Sequence, residues 1–156
     1  MGALSLILFS GDYDRAMAAF TIANGAAGAG EKVTIFFTFW GVSLLRKRNT
    51  PGKDFLQTVF KSILPCGSLG LPLSRFNFAG FGPILLRRLI RRGKGQSLEE
   101  LMGMAVERGV EFVACRASLD LLGLTRAELL ATPQLRVGDV HDFLRAAKEA
   151  EVCLFI

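Results

Sequence analysis

The 156-residue chain is long enough for one domain with a sizeable core, and its 51% hydrophobic and 21% charged residues exclude a disordered chain. Three widely spaced cysteines exclude a disulfide framework and a zinc site, and point to a reducing, cytoplasmic setting. The net charge of +5 is uneven: eleven Lys or Arg and one acid fall between Arg46 and Lys94, so that segment carries +10 and the remainder −5.

Residues 4–9 form a continuous apolar run that stops at Ser10-Gly11-Asp12, the pattern of a fully buried parallel strand. The start lacks the basic flank of a secretory signal, and no run of about 18 apolar residues occurs, so neither a signal peptide nor a transmembrane helix is expected. Asp12 is placed to cap a helix over residues 14–30, which Gly28 and Gly30 end. Residues 32–39 are β-branched and aromatic, a second buried strand stopping at Trp40-Gly41. Together these make a βαβ unit with a right-handed crossover.

Residues 43–96 read as an irregular basic insertion, with short helices near 42–48, 53–63 and 83–92 and a loop from 65 to 82; Pro51, Pro65, Pro72 and Pro83 divide it. Regular patterning resumes at Ser97 and Glu100, a capping box opening a helix whose face is Leu98, Leu101, Met102, Ala105 and Val106. A third strand follows at 110–115, then helical pieces from Ser118 and from Thr125, the latter boxed with Glu128. A last helix spans 138–150 and a terminal strand 151–156, with a fifth strand near 135–138 or inside the insertion.

This alternation predicts a single α/β domain over residues 1–156: three layers, α/β/α, around a mostly parallel, flavodoxin-like sheet of about five strands. Sites in such sheets collect at the carboxyl ends of strands. Ser10, Gly11 and Asp12, Trp40 and Gly41, and Cys115 all stand at such ends, so three strands bring them to one edge.

Cys115 closes a strand ahead of a short helix, where backbone N–H groups favour a thiolate. Arg116 adds to that effect if it turns inward, Asp120 opposes it, and Ser118 lies close by. Position alone leaves a reactive thiol and a small core residue equally open. Cys153 sits within "VCLFI" without polar company and reads as packed core, to react only on unfolding; Cys66, in the turn "LPCGS", is a loop cysteine or a second thiol. "SGDYDRA" and "GKGQS" lack the residues of a phosphate-binding loop. The one histidine, His141, opens the last helix between Asp139 and Asp142 as a surface residue, and no cluster predicts a metal.

"ILLRRLIRR" (residues 84–92) is amphipathic and basic. Without a recognition motif, nucleic acid is not expected. Arg87, Arg88, Arg91 and Arg92 suit an anionic membrane surface or an acidic protein, or acids of a neighbouring subunit that also buries Phe76, Phe78 and Phe81.

The stretches "SGDYDRAMAAFTIANGAAGAGEKVTIFFTFWG", "LPLSRFNFAGFG", "GVEFVACRASLDLLGL" and the final "LFI" resemble the DsrE/DsrF/DsrH-like family, in the DsrE-like branch also labelled peroxiredoxin-family. The resemblance covers nearly the whole chain in order. It implies the three-layer fold, a homo-oligomer, and sulfur trafficking without a cofactor, in which a cysteine takes sulfane sulfur from a donor protein as a persulfide and passes it to an acceptor. The matching cysteine is Cys115, while Cys66 has no clear counterpart. No peroxidase motif accompanies it. Against this sulfurtransferase or carrier stands a non-catalytic oligomeric binding module, using the Trp40-Gly41 edge and the basic segment.

Overall fold

A computed structural model describes residues 2–47 and 52–156; Pro51 and the end of the helix expected near 42–48 lie outside the described residues. In chain order come β1 (Ala3–Leu8), α1 (Tyr13–Gly28), β2 (Lys32–Phe37), a 3₁₀ segment (Phe39–Leu45), α2 (Phe55–Ile63), α3 (Phe81–Arg92), α4 (Leu98–Glu107), β3 (Glu111–Cys115), α5 (Arg116–Leu122), β4 (Leu135–Gly138), α6 (Val140–Glu149) and β5 (Val152–Phe155). Short 3₁₀ turns at Ser68–Gly70, Phe78–Gly80 and Arg126–Glu128 punctuate the connections.

The strands form one sheet in the order β4-β3-β2-β1-β5, and every neighbouring pair is parallel. The chain lays β1 to β4 in one direction and then crosses back to place β5 on the far side of β1. With right-handed crossovers, that reversal puts α6 on the opposite face from α1 and α4. Ring contacts confirm it. Phe20 of α1 packs on Phe37 and edge-on to Phe112, whereas Phe143 of α6 packs on Phe36, the neighbour of Phe37 along β2. Burying Phe20, Phe37 and Phe112 stabilises the first face by about 1.5–3 kcal/mol each.

That first face holds most of the core. Ala16, Ala19 and Ala23 of α1 are buried, and their small side chains let the helix lie close to the sheet. The Asn24 amide donates to Phe20 O and to Leu101 O (2.8 Å), joining α1 to α4. Ser97 and Glu100 make the expected capping box at α4, and Thr125 and Glu128 make theirs.

The second face is thinly covered, which corrects the reading of Cys153. β5 is an edge strand; Val152, Cys153 and Phe155 are exposed. A run of apolar residues marks a strand, but not whether both of its faces are covered.

Among the contacts that tie the basic segment to the rest of the fold are two clusters. At the first, Lys61 Nζ lies 2.8 Å from Glu128 Oε1 and donates to Gly123 O, and these two charged residues are 1% and 4% exposed. Arg46, also buried, donates to the carbonyls of Lys61, Leu64 and Pro65. At the second, Tyr13 N donates to Pro72 O (2.7 Å), and Asp14 accepts from the N–H (2.9 Å) and hydroxyl of Ser74. Partial burial alone would raise the Asp14 carboxyl, but the Ser74 hydrogen bonds outweigh it and hold the group below its ordinary value of 3.8. Its stabilisation is therefore complete above that value and lost as pH falls through the lower, folded one. Ser74→Ala should cost about 0.5–1.5 kcal/mol at neutral pH. In urea melts the gap between variant and wild type should close on acidification; a gap constant from pH 7 to pH 3 would be inconsistent with this tether.

The segment also carries strain. Phe76, Phe78 and Ala79 have φ of 57°, 41° and 53°, a left-handed region that costs a non-glycine residue about 1–2 kcal/mol. Arg87 departs from the basic stripe expected of it. Its guanidinium donates to Ser68 O and Leu69 O and lies 4.7 Å from the centre of the Tyr13 ring.

Candidate functional site

The carboxyl edge of the sheet is built where three apolar strands stop. β3 ends on Cys115, and α5 begins at Arg116 rather than at Ser118, so Cys115 itself occupies the position before the first turn, with no capping hydrogen bond from its side chain. It pairs in register with Gly138 of β4. Its side chain belongs to the small cluster on the α6 face, with Phe36 and Val113, flanked by Ile7 and Phe143, and it is 9% exposed. The thiol is thus sheltered by aromatic and aliphatic groups at the rim of the sheet. His141, exposed, stands in the first turn of α6, three residues beyond Gly138.

Ser118 has a role that sequence reasoning did not give it. It is buried, and its hydroxyl accepts from Phe39 N (2.9 Å) and lies 3.1 Å from Thr38 Oγ1. One side chain thereby fastens the first turn of α5 to the end of β2 and fixes where Cys115 sits relative to Phe39. No pattern in the sequence joins positions so far apart. Arg116 and Asp120 are both exposed.

The β1 end meets the β2 end through two glycines. A Cβ on Gly41 would lie 2.1 Å from Leu8 O, and one on Gly11 would lie 3.1 Å from the Trp40 Cβ. Gly41 N donates to Phe9 O (2.9 Å) across this contact. Ser10 donates to Asp12 (2.5 Å), and Arg15 approaches the same carboxylate at 3.6 Å. Asp12 occupies the expected cap position of α1 but spends its side chain on Ser10 and Arg15 rather than on the helix N–H groups. The structure therefore brings Ser10, Gly11, Asp12, Trp40 and Gly41 together, and joins Cys115 to them through Ser118 and Phe39.

Beside this edge lies an apolar groove of about 380 Å³, lined by Phe39, Trp40, Leu56, Phe60, Leu121 and Leu122, with Asp54 and Gln57 at its polar side. The signal for it was in α2, whose apolar residues at 55, 56, 59, 60 and 63 make one helical face; that face is turned outward. Cys66 is exposed in the turn after α2, and all three cysteines are free thiols. Among the described residues, no three His, Cys, Asp or Glu side chains converge as metal ligands do.

The sequence pattern of the DsrE/DsrF/DrsH-like family matches residues 2–155. The chain belongs to that family. Among its relatives is the uncharacterized protein YrkE of Bacillus subtilis (strain 168), 44% identical over 154 residues, covering 97% of this chain and 95% of that one. The sulfur carrier protein DsrE2 of Allochromatium vinosum is 28% identical over 161 residues, covering 98% and 97%. The crystal structure of ychN protein from E. coli superimposes over 100% of both chains with a TM-score of 0.56 at 10% identity, a likeness of fold. Membership supports a role in sulfur relay at the level of the family. In this DsrE-like chain the all-parallel sheet places one of three thiols, Cys115, at the carboxyl edge where α/β sheets carry their sites.

Proposed function

We propose that the protein is a sulfur-relay carrier that holds sulfane sulfur as a persulfide on Cys115. The observation that carries this reading is the position of Cys115: last residue of a buried strand, immediately before the first turn of the following helix, and sheltered among Phe36, Val113 and Phe143. The Cys115 thiolate attacks the outer sulfur of a donor protein's persulfide. A new S–S bond forms at Cys115 as the donor's S–S bond breaks. The donor leaves as a thiolate, and the proton of the outer sulfur passes to it or to solvent, so no net oxidation occurs. An acceptor thiolate then repeats the attack on the sulfur held by Cys115. No cofactor enters this exchange. The apolar wall shields the loaded sulfur from water and oxidants, and the rim position leaves the thiol a narrow approach, 9% exposed, for a slender persulfide arm. A reducing cytoplasm keeps the three thiols free for it.

Intact mass after incubation with a sulfane-sulfur donor tests the reading. One added sulfur, removed by a small thiol reductant, is expected; an unchanged mass would overturn it. The apolar groove favours a second reading, a binding module without sulfur chemistry that uses the Trp40 edge and the basic segment, and this one expects no added sulfur.

The carrier is further proposed to be a homo-oligomer. Phe55, Leu56, Phe60 and Ile63 of α2 are exposed next to the groove, and each offers about 1.5–3 kcal/mol on burial, before the costs of association. Light scattering at micromolar concentration should give a multiple of 17.0 kDa. A particle of 17.0 kDa would rule the oligomer out.

A further inference from the structure

We propose that residues 76–94 form a docking prong for an anionic lipid surface. Leu86 and Ile90 of α3 pack against the core, and Arg87 is tied down over Tyr13. Phe81, Ile84, Leu85 and Leu89 are left facing outward, each more than half exposed. Phe76 and Phe78, stacked 6.1 Å apart, extend this ridge at 73% and 68% exposure. Arg88, Arg91, Arg92 and Lys94 are exposed alongside it, and from Arg75 to Lys94 the sequence contains no acid.

The ridge is held rigidly. Gly82 N donates to Asn77 O, and a Cβ on Gly82 would lie 2.0 Å from Phe76 O, so the loop is folded tightly against the start of α3. Phe76 and Phe78 point outward through left-handed backbone conformations that phenylalanine disfavours. Projecting aromatic rings into water returns nothing for that strain; placing them in an apolar phase does.

Charge selects the occupant. A second copy meeting this face across a two-fold axis would bring two such basic patches together, with no acid between Arg75 and Lys94 to pair with Arg88, Arg91 and Arg92. A lipid surface rich in phosphate offers each guanidinium an anion and gives the phenylalanines the headgroup–acyl boundary. Among the described residues no helix is long and apolar enough to cross a membrane, and α3 has 12 residues, so the prong lies at the interface rather than spanning it. The proposal does not depend on Cys115.

Co-sedimentation of the full chain with vesicles tests it, using phosphatidylcholine alone and phosphatidylcholine mixed with phosphatidylglycerol. Binding to the mixed vesicles is expected to be at least about tenfold tighter and to weaken in high salt. Each cation near such a surface contributes about fivefold in partition, so Arg88→Glu/Arg91→Glu/Arg92→Glu should reduce binding more than about a hundredfold. Phe76→Ser/Phe78→Ser/Phe81→Ser, all at exposed positions, should lose binding with an unchanged circular dichroism spectrum. Equal binding to both vesicle types, binding to neither, or indifference to the charge reversal would each overturn the proposal. Absence of vesicle binding together with a lower particle mass for the arginine variant would assign the face to a contact between copies instead.

Discussion

Cys115→Ser is expected to end sulfur loading outright, while Cys66→Ser/Cys153→Ser loads as the wild type does. A serine oxygen cannot hold sulfane sulfur, so no residual loading remains to be apportioned. The change is one atom at a site 9% exposed, and placing a hydroxyl beside Phe36 and Val113 costs about 1–3 kcal/mol. Cys115→Ala removes even that cost and should behave identically. The readout has to be intact mass and transfer to a second thiol rather than alkylation. Cys153 and Cys66 are exposed and Cys115 is not, so a bulky alkylating reagent should modify the two bystanders first. This reverses the order that "VCLFI" suggests when read as buried core. Loading at wild-type level in Cys115→Ser would remove Cys115 from the mechanism.

Lys61→Met should be among the most damaging single substitutions for stability. It removes the ammonium 2.8 Å from a carboxylate that is 4% exposed, and breaking one side of a buried pair costs about 3–5 kcal/mol. Against a total stability of about 5–15 kcal/mol for a domain, that is a large share. Lys61→Met/Glu128→Gln should recover most of the loss. The glutamine oxygen can still accept from Thr125 N, and the buried negative charge that faced the Lys61 ammonium is removed together with it. Urea unfolding of the two single variants and the double gives the coupling. If the losses simply add, the pair is not the clasp between the basic segment and the Arg126–Glu128 turn.

The sheet was legible because β1, β2 and β3 are mostly apolar runs that stop abruptly, and helix α4 because its cap is explicit, Ser97 with Glu100. The strand-end positions followed from the same runs, since Leu8, Phe37 and Cys115 are each followed within a few residues by polar or turn residues. What escaped were relations between distant positions. Nothing near Lys61 in sequence announces Glu128, and nothing near Ser118 announces Phe39. Arg87 looks like its neighbour Arg88 until the Tyr13 ring is seen beneath it. Cys153 misleads because an alternation-free strand implies two covered faces, and α6 alone does not reach across to β5 at the edge. In each case the deciding energy is a tertiary contact that local pattern does not encode.

The strand order also sets a schedule. β1 lies between β2 and β5, and its outer side pairs Leu4 with Val152. On the ribosome, β2, β3 and β4 can dock in succession while that outer side waits for the last strand to be made. The nascent chain therefore carries a bare backbone edge until β5 has been made, and closing it means joining the first strand to the fifth, a slow step for a parallel topology. Holdase chaperones that bind unpaired strands have their longest window here. Losing β5 late in translation would leave β1, a core strand, as an open edge.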